Sequence, residues 1–361
     1  MSEPSEWLIY RGAGEPHGGI TQLPPPPPWR DFAGRGAANG DGAGDGAATG
    51  DGAAAGDAAT DGSADRRLGG YRHEAELHRP GAEELEMINA ALYLRRPLLV
   101  TGSPGAGKST LAHSVAHELG LGRVLRWPIV SRSALQDGLY HYDAIARLQD
   151  VQLAAHGAAA GVDTTAGHDP SADIGSYIRL GPLGTALLPS DQPRVLLIDE
   201  LDKSDIDLPN DLLNVLEEGE FGIPELERIA DRLPDGEAEV LTDDGRKVKV
   251  KGGRVQCRAF PFVVLTSNGE RDFPAPLMRR CIHLRLGRPD HQRLATFVRA
   301  HLGDEAARVG NDLIAHFLER SRSELISTDQ LLNAIYLTDA AAPAGRDRLA
   351  DLIIQRLDRP R

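Results

Sequence analysis

The residues Gly102-Ser103-Pro104-Gly105-Ala106-Gly107-Lys108-Ser109 carry the spacing G-x-x-x-x-G-K-S, and its chemistry is the gripping of a phosphate chain. The glycines let backbone N–H groups close around phosphate oxygens, and a helix opening after them adds the positive end of its dipole. Lys108 would bring a point charge to the β- and γ-phosphates, and Ser109 would offer its hydroxyl to magnesium. Thr110 completes the candidate binding stretch. ATP and Mg2+ are the expected ligands.

Val195-Leu196-Leu197-Ile198-Asp199-Glu200 is an apolar run ending in two carboxylates. Beside a phosphate loop, Asp199 would hold the magnesium shell through water. Glu200 would orient and deprotonate an attacking water, which points to hydrolysis rather than transfer to another acceptor. Thr266-Ser267-Asn268 closes another apolar run, and Asn268 could hold the same water near the γ-phosphate. Arg279 and Arg280 precede a further run, either as surface charge or as a cation that reaches a phosphate. Asp202, Asp205 and Asp207 read as a solvated acidic face. His113 and His117 stand four apart, a spacing compatible with metal binding, but no third ligand is evident and ordinary helix packing is expected. Tyr140-His141-Tyr142 reads as packing, with a client-gripping aromatic loop as the alternative.

These groups need a scaffold that delivers three polar ends to one place. Five short apolar runs can supply it, at 97–102, 123–130, 194–200, 260–268 and 281–286. The first, third and fourth are apolar on both faces, as covered parallel strands must be. Helically periodic segments such as 109–120 and 210–220 separate the runs. The alternation predicts an α/β fold with a doubly wound parallel five-stranded sheet, whose ligands bind outside the carboxyl ends of the strands. Leu85, Ile88 and Leu92, with Met87 on a flank, predict an amphipathic helix before the first strand. Two interruptions exceed what such a fold needs. Residues 131–190 are expected to be a mobile loop, and 237–252 a β-hairpin turning at Asp243-Asp244-Gly245, with Lys247, Lys249 and Lys251 on one face. Residues 287–361 are helically periodic and predict a small lid.

Composition bounds the rest. Of the 32 residues at 33–64, 27 are Ala, Gly or Asp, too few apolar side chains to offset the entropy of ordering them. This tract reads as a disordered, weakly anionic linker within 33–70. Before it, Trp7, Leu8, Ile9, Tyr10 and the Pro24–Pro28 rod ending at Trp29 form an arm over 1–32, able to dock on its own domain or on a partner. Two cysteines, Cys257 and Cys281, cannot make a disulfide framework, so a reducing, cytoplasmic setting is expected. No apolar run approaches the roughly 20 residues that span a bilayer, and the start of the chain lacks the pattern of a secretion signal. A net charge of −13 argues against a general grip on nucleic acid.

In order along the chain, LLVTGSPGAGKSTLA, RLGPLGTALLPS, LLIDELDKSD, DLLNVLEEGEFGIPEL with the Lys-rich hairpin, and PFVVLTSN resemble the AAA+ ATPases, and within them the MoxR family. The resemblance covers roughly 77–340. It implies a nucleotide-binding domain over 71–286, a helical lid over 287–361, and a ring, usually a hexamer, that spends ATP to remodel or activate client proteins. Members commonly work with von Willebrand factor A-type partners. The resemblance also selects Arg280, with Arg279 as fallback, as the residue facing the neighbouring subunit's γ-phosphate. One departure stands out: in the lid pattern S-[PT]-R-x-L, this chain has Ser327-Thr328-Asp329-Gln330-Leu331, with Asp329 where arginine would stand. That departure and the tethered arm favour an alternative, an ATP-gated scaffold or switch with slow turnover. A DNA-processing motor is a further alternative, which the net charge weakens.

Overall fold

Each of the five apolar runs folds as a strand in the computed structural model, which describes residues 7–32, 80–159, 174–321 and 328–340. They are β1 (Leu98–Thr101), β2 (Leu125–Pro128), β3 (Val195–Asp199), β4 (Phe262–Ser267) and β5 (Ile282–Arg285). All pair in parallel, in the order β5-β1-β4-β3-β2. β3 and β4 are buried at every position, whereas the edge strand β2 alternates, with Leu125 and Trp127 buried and Arg126 exposed.

Helices α1 (Ala82–Leu94), α2 (Lys108–Glu118), α3 (Leu208–Glu218) and α4 (Ala275–Arg280) flank this sheet. Successive strand residues serve opposite layers, because side chains alternate across a strand. Leu98, Val100, Leu197 and Val264 join Ile88, Leu92, Leu111 and Val115 in one core. Leu99, Leu196, Ile198 and Val263 join Leu212 and Leu216 in the other. The sheet is doubly wound, as the alternation predicts. α5 (His291–Val309), α6 (Asn311–Ser321) and α7 (Thr328–Ala340) form the lid, with a separate core that includes Leu294, Val298, Phe317 and Leu331.

The hairpin forms where its turn residues place it, pairing Glu237–Leu241 with Lys247–Lys251. Lys247 and Lys249 meet Glu239 and Glu237 at 2.8 and 3.0 Å, so two of the three lysines are neutralised within the hairpin. The interruption at 131–190 differs from the loop expected. Leu135–Leu139, Ala144–Ala159 and Pro182–Ala186 are helical. Tyr140–Tyr142 and Ile178–Leu180 are strands that join the hairpin in a four-stranded sheet. Burial of Tyr140, Ile178 and Leu180 offsets the entropy of ordering this stretch. Tyr140 packs inward and donates a hydrogen bond to Glu225 at 2.8 Å. The linker, residues 160–173 and the chain after 340 lie outside the described residues.

Residues 7–32 of the N-terminal arm dock on its own domain. Tyr10 is fully buried, with its hydroxyl 2.7 Å from that of Ser114 on α2. The Asn89 carboxamide on α1 accepts from the Ile9 and Tyr10 N–H groups at 2.8 and 2.9 Å and donates to the Tyr10 carbonyl at 2.8 Å, much as a neighbouring strand would. Arg30 donates to the Arg95 carbonyl at 3.0 and 2.7 Å and lies over the rings of Phe32 and Phe260. At the end of α2, the buried Glu118 carboxylate accepts from the N–H groups of Arg11, Gly12 and Gly14 at 2.6, 3.1 and 3.0 Å. A carboxylate opposes the dipole at a helix C-terminus, and the arm's donors offset that penalty. Glu118→Ala should therefore lower stability by about 3 kcal/mol, the scale of a broken buried charged network, read as an earlier urea midpoint. An unmoved midpoint would show that the Glu118 contacts to the arm contribute nothing to folding. Both cysteines are free and buried, and burial pushes each thiol up to about 12.

Candidate nucleotide-binding site

β1 delivers the phosphate loop and α2 receives it. Gly105, at φ 75°, lies against the lid, and a Cβ there would collide with the Thr328 hydroxyl. Gly107, at φ 86°, turns the chain into α2 from the left-handed region that favours glycine. The first N–H groups of α2 have no partner within the helix and so can receive an anion. Lys108 Nζ donates to the carbonyls of Gly102 and Ser103, at 2.9 Å each, and to Asn268 Oδ1 at 2.7 Å. Burial lowers the Lys108 pKa, against the opposing pull of Asp202, Asp199 and Glu200.

Asp199 ends β3 with its Oδ1 accepting from Ser109 and from Thr266 of β4, both at 2.8 Å. Arg126 of β2 donates to its Oδ2 at 2.6 Å. Burial by itself would raise the Asp199 pKa. The hydrogen bonds from Thr266, Arg126 and Ser109 outweigh it and hold the carboxyl below its ordinary value. The ionised carboxylate and the Ser109 hydroxyl are adjacent hard oxygen donors, the set magnesium takes.

Glu200 follows at φ 62°, a conformation uncommon for a side chain of its kind, with its N–H donating to Thr266 Oγ1 at 2.8 Å. Its carboxylate is partly exposed, 2.6 Å from Lys203 Nζ. The solvated face expected of Asp202 is corrected here: Asp202 is only 4% exposed. Its Oδ2 accepts from the N–H groups of Asn268 and Glu270 at 2.9 and 3.1 Å, because a 3-10 turn at Leu201–Lys203 folds it back under the end of β4. Asp205 and Asp207 are exposed.

Pro104 to Thr110 line one cavity of about 750 Å³ with Asp199, Glu200 and Asn268, bounded by Pro80, Gly81 and the lid. That volume suits a nucleotide-sized ligand. Gly102 and Ser103 stand behind it and act through their carbonyls on Lys108. The lid meets the loop where Thr328 donates to the Gly105 carbonyl at 2.8 Å, and Asp329 follows on α7. Arg280 lies outside this cavity, on the last turn of α4, with Nε 2.9 Å from Glu217. His113 and His117 join no metal-binding group among the described residues. Arg126 escaped the motif reading, although an arginine inside an otherwise apolar run is a signal; Thr328 was placed in the lid pattern, but its contact with the loop was not expected.

Because β4 lies between β1 and β3, Lys108, the Asp199–Glu200 pair and Asn268 meet at adjacent strand ends. That juxtaposition defines the class of P-loop nucleotide-binding ATPases. Within it, the family model described as AAA domain (dynein-related subfamily) matches residues 97–281, about half of the chain. The chain belongs to that family. No curated protein matches it.

Proposed function

We propose that this protein is a MoxR-like AAA+ ATPase that hydrolyses ATP as a cytoplasmic ring, usually of six subunits, to remodel or activate client proteins. A von Willebrand factor A-type protein is the proposed partner class. The proposed division is an arm at 1–32, a linker at 33–70, a nucleotide-binding domain at 71–286 and a lid at 287–361. The observation that carries the reading is the pair of hydrogen bonds Lys108–Asn268 and Ser109–Asp199, whose four residues line one cavity.

In this reading the loop N–H groups and Lys108 bind the phosphates, while Ser109 and Asp199 hold magnesium. When bound, that ion neutralises charge developing on the phosphate oxygens. Asn268 positions a water, and Glu200 takes its proton as the oxygen attacks the γ-phosphorus. The bond to the bridging oxygen breaks, and its electron pair leaves with ADP. The slow-turnover scaffold keeps support from Asp329 and from the Lys203 ammonium that holds Glu200. The hairpin's internal Glu–Lys pairs leave the DNA-motor alternative with less support.

Lys108→Ala tests the site. Losing one partner of a desolvated charge pair costs about 3 kcal/mol, so ATP affinity should fall roughly 100-fold. An unchanged dissociation constant in equilibrium binding would move the nucleotide elsewhere.

A further inference from the structure

Arg126 belongs to no motif, yet it lines the same cavity as Lys108 and Ser109. Its Cα pairs with that of Leu197, two residues before Asp199 in β3. Its Nη2 meets Asp199 Oδ2, the oxygen opposite the one that Ser109 and Thr266 already hold. The Asp199 side chain is 8% exposed and that of Arg126 is 39% exposed. Of the two, the arginine has the open space needed to change its position.

We propose that Arg126 is a cation acting in cis on the nucleotide, exchanging its contact with Asp199 for the terminal phosphate of ATP. The proposal rests on the ATP-site reading above. A divalent ion held by Ser109 and Asp199 would stand beside the guanidinium and repel it. The phosphate oxygens of a nucleotide in the cavity would then offer an anion that a guanidinium binds through a planar fork of donors. Ser109 and Asp199 would hold the ion, and Asp199 is followed directly by Glu200, the proposed base at the γ-phosphorus, so an arginine leaving Asp199 would meet the terminal group. The lid offers no arginine at the matching place, where Asp329 stands. A purely structural ion pair would need no access to the cavity, and would treat ATP and ADP alike.

The test is equilibrium binding of mant-ATP and mant-ADP, each with Mg2+, to the full chain and to Arg126→Ala and Arg126→Gln. The glutamine variant would keep a donor for Asp199 without the charge, which covers the case in which alanine misfolds. Both variants should lose about 10-fold in ATP affinity, the scale of one charged hydrogen bond, and under about 2-fold in ADP affinity. Equal losses for the two nucleotides would overturn the proposal. So would tighter ATP binding, which would make Arg126 only a competitor of the metal. Lys108→Ala in the same assay separates the two failures: if its ATP dissociation constant is unchanged, the site reading falls, whereas if that constant rises and only the ATP–ADP difference in the Arg126 variants is missing, the role of Arg126 falls alone.

Discussion

Arg280→Ala should bind ATP as the parent chain does and release phosphate about 10³ to 10⁵ times more slowly, the range an arginine commands at a P-loop site. Arg280 cannot serve its own nucleotide from where it lies, because it is outside the cavity at the end of α4. Its guanidinium is 44% exposed and its partner Glu217 is 42% exposed, and a pair so solvated is released at little cost. In a ring, such a side chain is available to the neighbouring subunit. Mixing Arg280→Ala with Lys108→Ala subunits checks this directly. Some interfaces would join an intact phosphate site to an intact finger, so part of the activity should return. If mixed rings form and stay as inert as either parent variant, the role in trans is wrong. A defect in Arg279→Ala with none in Arg280→Ala would move the finger by one residue.

Glu200→Gln should keep ATP bound and cut phosphate release by about 10² to 10⁴, the contribution of a positioned general base. The amide preserves the size and hydrogen bonding of the side chain but cannot take the proton of water. The strained turn at Glu200 is held by its N–H bond to Thr266, so the substitution leaves the backbone supported. The ion pair with Lys203 has a consequence of its own. Its hydrogen bond to Glu200 raises the Lys203 pKa, and because it engages Oε2 alone, the ammonium competes with water for one of the two carboxylate oxygens. Single-turnover phosphate release, measured beside nucleotide binding, reads both quantities. A parent rate already as low as that of Glu200→Gln would replace the remodelling ATPase with the slow scaffold. Where the parent turns over, the same variant held on ATP serves as bait for client proteins.

Much of the nucleotide site was legible because each motif records a local requirement. The phosphate loop needs glycine where the backbone enters the left-handed region, as at Gly105 and Gly107. The strands that carry Asp199 and Asn268 had to be apolar throughout because both faces are covered, and β3 and β4 are buried at every position. The hairpin announced itself through its turn residues and its alternating lysines and valines. Residues 131–190 were harder. Their glycine and alanine content resembles a loop, and their short strands become stable only against the hairpin, whose pairing residues lie some way downstream.

From its own residues the chain determined a phosphate-loop spacing, two carboxylates at Asp199 and Glu200 for the proposed metal and water roles, and the apolar strands that end in them. Only the tertiary structure decided what surrounds those groups. Asp202 is buried because Asn268 and Glu270 bring their N–H groups to it. Arg126 reaches Asp199 because β2 lies against β3. Thr328 touches Gly105 because the lid folds back over the loop. The arm docks because Asn89 and Glu118 satisfy backbone groups about 80 to 110 positions earlier in the chain. The physical reason is separation. A motif constrains neighbours within a few residues, whereas burial and ion pairing depend on which distant segments the sheet order β5-β1-β4-β3-β2 brings together.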